Sequence, residues 1–152
     1  MRPRMTPEGI GDRLRSAAFA EYQAFEAFSW AASYFTQAPD ELRRIWRRLA
    51  QEELRHRDMI LKRMEELGVA AGDRPVSDRL WLALIACVSA EEFSLFMARC
   101  EERGRTAELR FYEVLATIDP VTAELFGRIA ADEAEHIALA SNQFLATPKQ
   151  KS

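Results

Sequence analysis

Two short segments, Glu53-Leu54-Arg55-His56 and Glu133-Ala134-Glu135-His136, contain the only two histidines of the 152-residue chain. In a helix, residues three positions apart lie on the same face, one turn from each other. Each Glu-x-x-His segment is therefore expected to direct a carboxylate and an imidazole toward a common point. One such segment is a weak signal, because glutamate is common on helix surfaces. Two copies that use every histidine favour a buried metal site over two solvated side chains.

The two segments lie 80 residues apart, and the sequence around them repeats at the same offset. Residues 45–50 (IWRRLA) align with residues 125–130 (LFGRIA), so that their apolar positions coincide. Pro39 falls within one residue of Pro120 in this alignment. The chain is therefore predicted to be all-α, with two related helical hairpins packed as a four-helix bundle of pseudo-two-fold symmetry.

Apolar periodicity and helix breakers predict where the helices lie. The predicted helices span residues 8–37, about 41–67, 78–118 and about 121–145. Asp40 is the expected N-cap of the second helix, and Gly68 is expected to end it. The third helix is predicted to be long, because its range contains no proline and only one glycine.

Length and composition indicate one domain over residues 1–152, with hairpins at 8–67 and about 78–146 and a flexible tail at 147–152. The net charge of −3 gives no reason to expect nucleic acid or a membrane surface as a partner. A signal peptide and a transmembrane run are not recognisable. Cys87 and Cys100 fit neither a local disulfide nor a thiolate metal motif. A cytoplasmic location is expected.

The repeat extends the expected metal site to two further glutamates, because Glu21 lies on the apolar stripe of the first helix and aligns with Glu101. The predicted metal ligands are Glu21, Glu53, His56, Glu101, Glu133 and His136. Four buried glutamates without counter-ions would be costly, whereas two divalent cations would balance them. The mixed oxygen and nitrogen set favours iron or manganese over zinc.

The ligand on the third helix is the least constrained of the six. Glu101 is preferred, because the residues one turn away on either side are small enough to leave room for a metal. Glu102, Glu91 and Glu108 remain open as alternatives.

Chain reach constrains the connection between the hairpins. Pseudo-two-fold symmetry requires the helices of the two histidines to be antiparallel. The chain after His56 then descends about 17 Å, whereas an unbroken helix from 78 to Glu101 would start about 35 Å above the site. A ten-residue loop reaches about 35 Å at most, which is too short. Either the helix breaks near Val88-Ser89, so that residues 78–87 join the crossover, or the hairpins are swapped between subunits.

The order of these residues along the chain resembles that of the ferritin-like di-iron carboxylate proteins. The segment Glu21-Tyr22-Gln23-Ala24 followed by Phe28 is similar to the first-helix motif of rubrerythrins. Phe111-Tyr112 and Asp119-Pro120 also resemble small rubrerythrin-like proteins, and the likeness covers nearly the whole chain. It implies a ferritin-like bundle that holds two Fe ions, with Mn or Zn as possible replacements.

Some features depart from rubrerythrins proper. The chain has no four-cysteine rubredoxin domain, and Ala98 stands where rubrerythrins carry a further glutamate. Glu52 and Asp132 directly precede the two Glu-x-x-His segments. They resemble the acid of the Asp-Glu-x-x-His motif of di-iron oxygenases, which orients a histidine. They are equally compatible with ordinary acids of a helix surface.

The resemblance implies a di-iron or di-manganese oxidoreductase with ferroxidase or peroxide-reducing activity, which uses O₂ or H₂O₂ and an external electron donor. The alternative enzyme is an oxygenase that hydroxylates a bound organic substrate, as the ferritin-like tRNA hydroxylases do. It requires an apolar channel, for which Ala17, Ala18, Ala24 and Ala140 leave space. The alternative of another class is a non-catalytic metal-binding or partner-binding bundle. A homodimer is expected rather than a storage cage.

Overall fold

The structure is a computed structural model that describes residues 2–3, 6–72 and 78–145, without the side chains of 140–145. The described residues are all-helical and contain no strand, which confirms the predicted all-α class. The helices are α1 (Pro7–Tyr34), α2 (Asp40–Leu67), α3 (Arg79–Ile85), α4 (Ala90–Leu115) and α5 (Pro120–Leu145). Within the described ranges, no helix combines the length and apolarity needed to cross a bilayer. The predicted tail at 147–152 lies outside the described residues.

Local sequence sets the ends of the first two helices. The Thr6 hydroxyl accepts a hydrogen bond from the Gly9 N–H and so caps the start of α1. Gly68 ends α2 in the left-handed conformation, with φ of 70°, as its sequence predicted. A residue with a Cβ adopts this conformation only at a cost, so glycine makes a sharp helix end possible.

Two predicted boundaries in the first hairpin are wrong by a few residues. α1 ends at Tyr34 rather than at residue 37, because Phe35 already leaves the helical conformation ahead of the turn that contains Pro39. Asp40 is the first residue of α2, and Pro39 occupies the N-cap position predicted for Asp40.

The predicted continuous helix over 78–118 is also wrong, and the chain breaks where its limited reach requires. α3 ends at Ile85, and Ser89 is extended with φ of −137° and ψ of 158°. The Ser89 hydroxyl accepts a hydrogen bond from the Glu92 N–H and starts α4. This matches the expected break near Val88-Ser89 and requires no exchange of hairpins.

The short helix α3 belongs to the crossover between the hairpins and packs on α1. The Trp81 backbone N–H donates a hydrogen bond of 2.8 Å to the side-chain oxygen of Gln23. Leu84 is fully buried in the core beside α1. These contacts fix the connection that carries the chain back along the bundle to the start of α4.

Side-chain pairs show that α2 and α5 are antiparallel. Glu52 contacts His136, His56 contacts Asp132, and further along α2 Arg63 contacts Asp119. Partner numbers on α5 fall as residue numbers on α2 rise, so the helices run in opposite directions. α1 packs along α2 and α4 along α5, and four long helices thus surround one interior.

Two apolar clusters fill this interior on either side of a polar layer. One lies toward the α1–α2 turn, where Phe93 meets Phe28 edge-on with ring centroids 6.0 Å apart. The other contains Leu14, Ile60 and Ile129, each with no exposed surface. Burial of each such side chain stabilises the fold by about 1.5–3 kcal/mol. The polar layer lies between these two clusters.

Candidate metal centre

All six predicted metal ligands lie in the polar layer, and all six are buried. Their exposed fractions range from 0% for His56 to 9% for Glu101. Their potential ligand atoms form two groups of four, and within each group the atoms lie within 4.8 Å of one another. The groups are Glu21, Glu53, His56 and Glu133, and Glu53, Glu101, Glu133 and His136. Glu53 and Glu133 belong to both groups, so these groups can hold two metal ions that share two carboxylates.

Helix periodicity and the antiparallel packing of α2 and α5 together create this arrangement. Within one helix turn, Glu53 Oε2 lies 3.9 Å from His56 Nδ1, and Glu133 Oε2 lies 3.6 Å from His136 Nδ1. Across the helices, Glu53 Oε1 lies 2.8 Å from His136 Nδ1, and Glu133 Oε1 lies 3.5 Å from His56 Nδ1. Each shared glutamate therefore faces the histidine of its own helix and that of the other.

The outer nitrogens of both histidines are held by the acids that precede the Glu-x-x-His segments. His56 Nε2 lies 2.8 Å from Asp132 Oδ2, and His136 Nε2 lies 2.5 Å from Glu52 Oε2. A carboxylate accepts hydrogen bonds, so each Nε2 carries a proton and donates it. Nδ1 is then the nitrogen that faces the glutamates, and in a metal-bound ring it would carry the lone pair that binds the ion. The two acids therefore orient the histidines, as the Asp-Glu-x-x-His resemblance implied.

Several atoms inside the cluster lack a hydrogen-bond partner. They are Nδ1 of His56, Oε1 of Glu101 and Oε2 of Glu133. Buried polar atoms are nearly always partnered, and an unsatisfied one costs about 1–3 kcal/mol. A divalent cation accepts electron pairs from such oxygens and nitrogens at once, so the donor set fits a pair of metal ions.

The charges of the metal-free cluster are balanced by protons. Burial, together with neighbouring carboxylates, raises the pKa of Glu101 to about 8 and the pKa of Glu21 well above its ordinary value. Burial also opposes ionisation of Glu133, but contacts with His136 and His56 hold its pKa at about 2. Burial alone would lower the pKa of both histidines. The surrounding glutamates outweigh this effect, so both pKa values are raised. In the metal-free protein, protons thus supply the positive charge that metal ions would otherwise supply.

Among the four acids considered on the third helix, only Glu101 joins the cluster. Glu102 is exposed and forms a 3.0 Å ion pair with Arg105. Glu91 is exposed in the first turn of α4. Glu108 belongs to neither group of four. The packing therefore brings together the six residues that the repeat predicted.

A family model matches residues 2–152 of the chain, and its description is "Protein of unknown function (DUF455)". The chain belongs to this DUF455 family. Among curated proteins and solved structures, nothing matches the chain. The family description assigns no activity.

Glu108 is a half-buried acid that sequence reasoning considered only as a rival ligand. It lies two helix turns beyond Glu101, and its Oε2 is buried without a hydrogen-bond partner. Burial, with the charges of Glu21 and Glu133 adding to it, raises its pKa to about 9. Its seven-residue spacing from Glu101 places both on one helix face, and this spacing was the available signal.

A cavity of about 440 Å³ opens between α1 and α4 and is lined by Glu21 and Glu108. Ala17, one of the four alanines expected to leave space for a channel, lines it. Ala18 and Ala24 instead pack in the apolar clusters. The side chain of Ala140 lies outside the described part of the chain. The small residues that widen the cavity opposite α1 are Gly104 and Ala107 of α4.

Proposed function

We propose that the protein is a ferritin-like di-iron or di-manganese oxidoreductase with ferroxidase or peroxide-reducing activity of the rubrerythrin kind. The observation that carries this proposal is the pair of overlapping groups of buried carboxylates and imidazoles that share Glu53 and Glu133. Four carboxylates and two neutral imidazoles carry four negative charges, which two divalent cations neutralise. Oxygen and nitrogen ligands without thiolates suit iron and manganese.

Each protein group has a distinct role in this proposal. Glu53 and Glu133 would be shared by the two ions, Glu21 and His56 would complete the ligands of one, and Glu101 and His136 would complete those of the other. Glu52 and Asp132 hold the histidines with Nδ1 turned inward. Iron or manganese ions held by these residues would supply the redox equivalents for reduction of O₂ or H₂O₂, and an external donor would restore them.

The arrangement of the helices supports the ferritin-like assignment. Two antiparallel hairpins, α1–α2 and α4–α5, contribute equivalent residues to one centre, and α2 and α5 are antiparallel. The short helix α3 lies in a crossover between α2 and α4, which the resemblance requires. The same order of Glu, Glu-x-x-His, Glu and Glu-x-x-His along four long helices is the ferritin-like pattern.

Metal loading followed by rapid oxidation tests the proposal. The metal-free protein is loaded anaerobically with Fe(II), its metal content is measured, and its absorption is followed after mixing with O₂ or H₂O₂ at equal concentration. We expect about two ions per chain and, for rubrerythrin-like chemistry, faster oxidation by H₂O₂. Faster oxidation by O₂ favours ferroxidase or oxygenase chemistry. Binding without any reaction leaves the non-catalytic metal-binding bundle, and no binding contradicts the proposal.

A second candidate function is an oxygenase that hydroxylates a bound organic substrate. The cavity beside Glu21 favours it, because simple peroxide reduction needs no space of about 440 Å³. The hydrogen bonds of Asp132 and Glu52 to the histidines also agree with the oxygenase motif. An oxygenase predicts that an organic substrate accelerates O₂ consumption by the reduced protein, whereas a peroxide-reducing enzyme predicts no such dependence.

A further inference from the structure

The cavity between α1 and α4 differs chemically between its two ends. Its inner part is lined by Glu21, a proposed metal ligand, and by Glu108, whose buried Oε2 has no hydrogen-bond partner. Arg110 also lines the cavity but is exposed. Within the described part of the chain, Arg110 forms no hydrogen bond or ion pair. Acidic groups thus lie at the metal site, and a free positive charge lies at the solvent edge.

The walls between these ends are mostly small or apolar. Ala17 and Ala20 of α1 face Ala107 and Phe111 of α4 across the cavity. The volume of about 440 Å³ falls within the range of about 300–1,000 Å³ that is usual for ligand pockets. Such walls accommodate an aliphatic chain and give it no polar partner, so the body of a fitting ligand is apolar.

We propose that this cavity binds an aliphatic organic acid, with its carboxylate at Arg110 and its apolar end beside Glu21. The proposal rests on the oxygenase function above, for which such an acid is the substrate class. The orientation follows from the cost of burial, because a carboxylate at the inner end would lose its hydration beside Glu21, whereas at Arg110 it stays at the solvent edge. At the outer end, an arginine guanidinium offers paired donors that match a carboxylate.

The apolar contacts and the ion pair are expected to contribute unequally to the affinity for the acid, so their removal should weaken binding by different factors. Burial of the aliphatic chain scales with its length and provides most of the affinity. An exposed ion pair contributes little, so loss of Arg110 is expected to weaken binding only about two- to fivefold. Obstruction of the cavity is expected to weaken binding more than about tenfold, since it removes the apolar contacts.

Calorimetric titration of the Zn(II)-loaded protein with decanoate and with decylammonium tests this inference. Zn(II) is redox-inert, so the measurement is independent of whether the centre reacts with O₂ or H₂O₂, and failure of one proposal leaves the other distinguishable. We expect saturable binding of decanoate, and weaker binding of decylammonium, which carries the same chain with the opposite charge.

Three variants test whether decanoate binds in this cavity. Ala107→Trp adds an indole at an exposed lining position, Arg110→Gln removes the charge, and Arg103→Gln changes an exposed arginine of α4 that does not line the cavity. We expect loss of decanoate binding in the first, a smaller loss with no remaining preference for the anion in the second, and wild-type binding in the third. Circular dichroism verifies the fold, and Arg110→Gln decides the matter if Ala107→Trp does not fold.

No saturable binding of decanoate would overturn the inference. Equal affinity for decanoate and decylammonium would overturn the orientation, and therefore the organic acid as the ligand class. Unchanged binding in a folded Ala107→Trp variant would place the ligand elsewhere on the protein.

Discussion

The two halves of the candidate metal centre match in their potential ligands but differ in their access. Each half has one unshared glutamate and one histidine, Glu21 with His56 and Glu101 with His136. The half with Glu21 adjoins a cavity of about 440 Å³, whereas the space beside Glu101 and His136 measures about 10 Å³. Repetition of the sequence therefore reproduces the ligands without reproducing their surroundings.

The residues around each half explain this difference. The closed half is surrounded by large side chains, among them Phe28, Leu49 and Met97. The open half faces Ala17 and Ala107 instead. Side-chain volume alone thus decides from which side a reactant larger than water can approach, and we expect it to approach from the Glu21 side.

The largest expected effect comes from removing the two glutamates that both halves share. Metal ions bind the folded state, so Fe(II), Mn(II) or Zn(II) at 100 times Kd should add about 3 kcal/mol to the free energy of unfolding. In a variant with both Glu53→Ala and Glu133→Ala, we expect no metal-dependent rise in melting temperature. A variant with both Glu65→Ala and Glu135→Ala changes exposed acids of the same two helices and serves as control. An unchanged metal response in the first variant would refute the shared site.

Single substitutions of the unshared glutamates separate the two halves. Glu21→Ala and Glu101→Ala each remove one ligand from one group of four. We expect metal content to fall from about two ions to about one in each variant. If reactants approach from the open half, Glu21→Ala should slow oxidation by O₂ or H₂O₂ more than Glu101→Ala does. Metal analysis and stopped-flow absorption measure both effects, and two tightly held ions in either variant would contradict the assignment.

The pH dependence of the metal-free protein tests the electrostatics of the closed half. Glu101 has a folded pKa of about 8 against an ordinary value of 4.5, so the folded state holds more protons than the unfolded state between these values. Its stabilising contribution is complete below about pH 4.5 and is lost as pH rises through about 8. The complete loss is on the order of 5 kcal/mol. Glu133 has a lowered pKa of about 2, so it changes the stability with pH only below its ordinary value of 4.5.

Urea unfolding of the metal-free protein at pH 5, 6.5 and 8 measures this loss. Glu101→Gln should flatten the decline, whereas Glu102→Gln, a change of its exposed neighbour, should not. Metal ions displace the protons, so metal binding at pH 7 should release protons and the loaded protein should show a weaker decline. Greater stability of the metal-free protein at pH 8 than at pH 6.5 would exclude the proposed protonation.

The smallest expected effect concerns the acids that hold the histidines. Glu52→Gln and Asp132→Asn weaken the orientation of His136 and His56, and we expect metal affinity to fall about 10- to 100-fold. The side chain of Glu52 is 27% exposed and that of Asp132 is 43% exposed, so the effect should be larger for Glu52. Competition of Zn(II) with a chromophoric chelator measures it. Wild-type affinity in both variants would show that the histidines need no such support.

The sequence by itself determined the set of candidate ligands, because the physical basis of this set is local. The three-residue spacing of Glu53 and His56 places both on one face of any helix. The repeat at an offset of 80 residues predicts the same for Glu133 and His136. The distance that a loop can span also follows from its number of residues alone, so the break near Val88-Ser89 could be expected without knowledge of the packing. The exact end of α1 was misplaced, because weak local preferences at Phe35 decide it.

Only the tertiary structure selected Glu101 over the other acids of α4 and revealed the difference in access between the halves. Both depend on which side chains of distant segments meet, and a repeat in sequence does not determine this. The cavity exists because Ala17 and Ala107, far apart in the chain, face each other across α1 and α4. The opposite half is closed because Phe28 and Met97 meet there. The space between two helices depends on the volumes of the side chains that face each other, and helix packing decides which side chains these are.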